Sequence, residues 1–235
     1  MSEKTTSVAK SKFPELVSYL ALRKAVGIIG VSLPIVLFVG TVILGHCCHI
    51  QGSISKYYHT VMQNVFVGSL CAVALFLWTY KGYAKKEDDK KMLPGDNVAG
   101  NLAALFALGV AFFPTRITVD DLTQCITVIY DREIIGKLHL FWAFLFFCTL
   151  AYYSLILFTK GENRSKNRLF RICGYTILGC ILLIILYIFL LKKPFPQLAE
   201  IKPIFWLETF ALWAFGISWL TKGNLIVREP IEKNE

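Results

Sequence analysis

Charge is scarce in this sequence. Asp, Glu, Lys and Arg make up 17% of its 235 residues, while 55% are hydrophobic. Soluble domains carry roughly a quarter charged residues, so the shortage points to a bilayer. The chain also lacks an internal repeat and a low-complexity tract, and no inverted repeat of the transporter kind stands out. No small-residue cleavage site follows its first apolar run. That run therefore reads as a retained span rather than a cleaved leader.

What is present is a series of six apolar runs near the spanning length of ~20 residues. They cover 26–45, 61–80, 97–113, 139–158, 172–191 and 203–220. The third and sixth are the shortest. The expected fold is all-α: a polytopic bundle of six transmembrane helices over 25–221, with a polar segment at 1–24 and a tail at 222–235. Within the third run, Ala99, Ala103 and Ala107 form a stripe beside Gly100 and Ala104, a spacing that lets helices approach closely. Pro34 predicts a kink in the first. Trp142, Trp206 and Trp219 stand near predicted span ends, as interfacial anchors do.

The net charge of +9 raises the question of nucleic acid. Its distribution answers it. Eighteen of the 25 Lys and Arg fall in the two tails and the two inner loops, and seven in the alternate loops. Basic loops stay on the cytoplasmic side, so both termini are expected there, with membrane lipids rather than nucleic acid as partners. The basic loops also suit anionic headgroups. A second copy of the chain or another membrane protein is the remaining partner class.

Seven cysteines are present. Cys71, Cys148, Cys173 and Cys180 fall inside spans and read as small apolar residues. Cys125 can pair with Cys47 or Cys48 if the outer side is oxidising, and the sequence does not choose. "HCCH" at 46–49 looks like zinc chemistry, but four consecutive residues wrap one tetrahedral ion poorly. The outer loop at 114–137 alternates enough for a short amphipathic segment or hairpin. The loop "KKPFPQLAEIKP" has three prolines and reads as an extended strap.

Ionisable groups within a bilayer are costly and mark function by default. Ser55, Tyr58 and His59 head the second span at its outer end, with Asn64 about one turn below. His139 opens the fourth span from the same side. Glu208 lies five residues past Pro203 in the sixth, roughly 8 Å deep at 1.5 Å per residue. If the second helix begins by Ser55, then Ser55 and His59 share a face at i and i+4. Two imidazoles and a carboxylate (His59, His139, Glu208) make a competent zinc set that leaves a position for water. Ser55, His59 and Glu208 are then the catalytic candidates, with Glu208 as metal ligand or general base. Tyr58, Asn64 and Arg116 are the ligand-binding candidates, Arg116 suiting a phosphate or carboxylate. Each residue also has a plainer reading. His59 beside two tyrosines suits an interfacial anchor, His139 a hydrogen-bonded packing residue, and Glu208 a structural ion pair.

The segments "SISKYYHT", "NVFVGSLCAVALFLWTYKGY" and "AGNLAALFALGVAFFPT" resemble a group of six-span bacterial membrane proteins and, more loosely, the Frag1/DRAM-like membrane proteins. That resemblance implies a topology and a bacterial inner membrane, and no activity. Ser55-x-x-x-His59 is similar to the Ser/His pair of the alkaline ceramidase and adipoQ-receptor hydrolases. Their zinc is held by three histidines. The carry-over stops at Ser55 and His59, because the last span has no His-x-x-x-His and no seventh span follows. The expectation is an integral membrane protein with a polar pocket in the outer half, acting as a zinc-assisted hydrolase of a lipid amide or ester. The alternative is a non-catalytic lipid or small-molecule binder or a scaffold for a partner. A transporter stands third.

Overall fold

The computed structural model describes residues 14–80, 94–117 and 125–224. Among them run six α-helices: α1 (Pro14–Gly45), α2 (Gln63–Thr79), α3 (Asp96–Phe112), α4 (Glu133–Tyr152), α5 (Arg164–Leu186) and α6 (Pro203–Lys222). No strand occurs among the described residues. The inner connector at 81–93, the tails at 1–13 and 225–235, and the middle of the expected hairpin at 118–124 lie outside them.

Each helix packs on its neighbours in chain order, and α6 returns to α1, so the six close into a ring. Alternate helix ends gather in two layers. At one, Arg23 in the third turn of α1 reaches the Tyr80 hydroxyl after α2 and the Lys222 carbonyl at the end of α6. At the other, Cys47 beyond the end of α1 is disulfide-bonded to Cys125 in the loop before α4. The first layer is the aromatic end of the ring and the second its disulfide end.

Four stretches are long and apolar enough to cross a membrane: Leu20–Gly45, Glu133–Lys160, Arg164–Leu191 and Pro203–Lys222. α2 and α3 are apolar but have 17 residues each, about 25 Å at 1.5 Å per residue. The ring faces outward with large apolar side chains such as Leu75, 67% exposed, and Phe189, 77% exposed. In water such a surface would be a continuous sticky patch. In hydrocarbon it is solvated.

Local chemistry sets the helix ends. Asn163 caps α5 by accepting the Lys166 N–H, and Pro203 opens α6 at a position where a missing N–H costs nothing. α1 runs unbroken through Pro34. Trp213 of α6 donates its indole N–H to the Val31 carbonyl at 3.0 Å, one residue past the carbonyl that Pro34 leaves without a helical donor. α1 and α6 touch backbone to backbone. A Cβ on Gly216 would lie 2.7 Å from the Gly27 carbonyl oxygen and 3.0 Å from the Val31 nitrogen. The alanine stripe of α3 is buried as expected, with Ala99, Ala103 and Ala107 at most 1% exposed.

Three expectations change. Trp219 is fully buried rather than interfacial. It packs against Tyr80, Tyr153, Phe158 and Phe215 with centroids 5.1–5.9 Å away. α5 begins at Arg164, two turns before the apolar run, which carries Lys166 into the interior. The proline-rich strap is not extended throughout, since Pro196–Ala199 forms a 3-10 turn.

Candidate functional site

The segment between α1 and α2 decides the site. Its 3-10 helix, Ile54–His59, is capped by Ser53, whose hydroxyl accepts the Lys56 N–H. α2 does not begin until Gln63. Three residues per turn put i and i+3 in line and i+4 a third of a turn away. The expected shared face of Ser55 and His59 is therefore lost: Ser55 turns into the bundle and His59 turns to the loops.

His59 is fully buried. Its Nε2 lies 2.8 Å from the Thr115 carbonyl oxygen and its Nδ1 2.9 Å from that of Val128. A neutral imidazole has one N–H and satisfies one of these; the imidazolium satisfies both. The His59 carbonyl accepts in return from the Thr127 and Val128 N–H groups, at 2.8 and 3.3 Å. His139, also buried, has Nδ1 2.6 Å from the Phe113 carbonyl oxygen. Phe113 and Thr115 follow the end of α3, where carbonyls have no helical donor. The two histidines supply donors there. Hydrogen-bonded packing, the plainer reading of His139, accounts for its bond without a ligand, while His59 is fully buried rather than an interfacial anchor.

Glu208 faces elsewhere. Its Oε2 accepts the Ile54 N–H at 2.6 Å, so it ties α6 to the head of the 3-10 turn. Arg116 does not reach it. The Arg116 Nε donates to Asp131 Oδ1 at 2.7 Å, in an ion pair about half exposed on both sides. The adjoining Asp131 carboxylate raises the guanidinium above its usual pKa. Asn64 is exposed on α2. Tyr58 packs edge-on against His59 and Tyr130, with centroids 5.3 and 6.1 Å away. Tyr57, fully buried behind it, has its phenol pushed up to about 12 by burial and rests on Phe205.

The zinc expectation thus meets an arrangement that does not suit it. Both His59 nitrogens face carbonyls, and Glu208 is engaged by Ile54. Among the described residues no group of three His, Cys, Asp or Glu is placed to hold a metal ion. No metal-dependent step is drawn from this geometry. Cys47, from the "HCCH" segment, pairs with Cys125, leaving Cys48 exposed as a free thiol.

The structure does bring Ser55 and Glu208 together. They border a cavity of about 30 Å³ inside the ring, room for a water or two. Leu33 of α1, Phe66 and Leu70 of α2, and Val110 of α3 form one side. Ala143, Phe146 and Phe147 of α4 and Leu212 of α6 form the other. Its wall is apolar except at the Ser55–Glu208 end. Sequence reasoning missed the apolar lining, because nothing distinguishes Phe66 or Phe146 from any other buried phenylalanine. The only signal was Glu208, a lone carboxylate in a span.

No protein-family model matches the chain, and no curated protein or solved structure matches it.

Proposed function

We propose that this chain is a six-span integral membrane protein with both termini on the cytoplasmic side, and that its outer half binds a lipid or small amphiphile. α2 and α3 pack between α1 and α4, both of membrane-spanning length, and a ring in chain order supports all six helices crossing together. The positive-inside count puts the aromatic end in the cytoplasm. The disulfide end then faces outward, which suits a disulfide in an oxidising compartment.

One observation carries the binding reading. The cavity between the helices is apolar except at its Ser55–Glu208 end, the polarity pattern of an amphiphile's head and first methylenes. A metal-assisted hydrolase that used His59 would require it to give up a backbone carbonyl. Two measurements test the proposal. Cys48 should react with a membrane-impermeant maleimide applied from outside intact cells. Protein purified in mild detergent should retain a lipid by native mass spectrometry, and Ala143→Phe, which fills the cavity, should lose it. Equal retention by both proteins would sink the cavity as the binding site. Stoichiometric zinc in the wild type, absent from His59→Ala, would instead restore the hydrolase.

A further inference from the structure

We propose that the first two turns of α5 form a second binding site, in which Arg164, Arg168 and Arg171 hold the phosphate of an anionic phospholipid. The proposal rests on α5 crossing the membrane, as proposed above, and is independent of the cavity at Ser55 and Glu208.

α5 divides its cations between two faces. Lys166 is buried, and its ammonium lies 2.7 Å from Asn224 Oδ1, past the end of α6. Arg164, Arg168 and Arg171 are all exposed. They stand at i, i+4 and i+7, which is one helical face. Phe170 and Ile177, on the other side of the helix, are buried. No hydrogen bond or ion pair ties any of the three arginines to a carboxylate among the described residues. Like charges at i+4 destabilise a helix, so an anion lying along this face removes a cost as well as gaining bonds. The three are arginines rather than lysines, and a guanidinium can grip a phosphate with two parallel hydrogen bonds.

Depth and continuity make the anion a lipid. The apolar run at 172–191 spans about 30 Å at 1.5 Å per residue, the thickness of the hydrocarbon core. With that run in hydrocarbon, Arg171 stands at its edge and Arg164 about 10 Å further out. That interval is the headgroup layer, where the phosphates are. The same face then continues into the hydrocarbon through Tyr175, Leu178 and Leu182, which are 66%, 41% and 57% exposed. One exposed stripe thus runs from three cations through a tyrosine to leucines. A phospholipid has the complementary order, with its anionic phosphate against the arginines and an acyl chain along the leucines. A zwitterionic phospholipid brings an ammonium to the same cations and loses part of the attraction. By the positive-inside count this end of α5 lies in the cytoplasmic leaflet, where anionic lipids attract basic residues.

The test uses the full chain in a neutral detergent, incubated with equimolar phosphatidylglycerol and phosphatidylcholine of matched acyl chains and read by native mass spectrometry. Phosphatidylglycerol should give the dominant adduct, more than tenfold over phosphatidylcholine. Each single Arg→Gln change at 164, 168 or 171 should lower that preference about fivefold, and the triple variant should bring it near parity. The triple Arg→Lys variant should keep part of it, since charge remains and the paired bonds are lost. Ala143→Phe, which fills the cavity, should leave the preference unchanged. Equal binding of the two lipids by the wild type would overturn the proposal, and so would a preference that survives the triple Arg→Gln change. A preference lost in Ala143→Phe and kept in the triple variant would assign the anionic lipid to the cavity instead. Should the triple variant fail to fold, the three single variants decide.

Discussion

The two ends of the ring handle polar groups in opposite ways. At the aromatic end they are absorbed into packing. Arg23 lies over Tyr80, Lys222 sits over Phe158 and Phe170, and Ser154 bonds Ser218 at 2.9 Å. Trp219 fills the centre. A π-helical turn at Tyr153–Leu157 buries Tyr153, Ser154 and Leu157 together, as such turns do by shifting the helical register. At the disulfide end the polar groups serve loop backbone instead. His59, His139 and Glu208 each bond main chain, and a cavity remains beside Ser55 and Glu208. Ionisable residues in a span therefore do not mark a site by themselves. The site is where their bonding stops short of filling the space.

Breaking the aromatic end should cost most. Trp219→Ala removes a fully buried ring and should lower stability by about 3–5 kcal/mol, read as the unfolding midpoint in detergent. Cys125→Ser should cost about 2–4 kcal/mol, less where spans on either side already limit the unfolded chain. It should also free the 125–128 segment from His59, seen as faster amide exchange at Thr127 and Val128. Ala143→Leu at the cavity should change stability by under about 1 kcal/mol, because the added methyls enter space that is already open. It should nonetheless reduce lipid retention, which separates the two ends in function as well as in energy. Arg116→Ala, at an exposed ion pair, should leave both the midpoint and lipid retention unchanged.

The helices were legible because an apolar run of about twenty residues fits a bilayer span and little else. The alanine stripe of α3 was legible for the same kind of reason, since small residues at helical spacing have one obvious use. Depth along the bundle could also be read, because each residue advances a helix by about 1.5 Å. Direction around the helix could not. The pairing of Ser55 with His59 assumed about 100° per residue, and the 3-10 turn supplies about 120°. That difference sends one side chain to the cavity and the other to the loops. The burial of Lys166 and Trp219 was hidden for a related reason. Both sit where a span end is expected, and sequence position does not say whether a span end faces headgroups or other helices.

The most direct test of the account is the reactivity of Ser55→Cys toward a decyl methanethiosulfonate in reconstituted membranes, mapped by peptide mass spectrometry. The account predicts modification at position 55 that is blocked by adding Ala143→Phe. Modification unaffected by that substitution would place Ser55 outside any ligand cavity and contradict it.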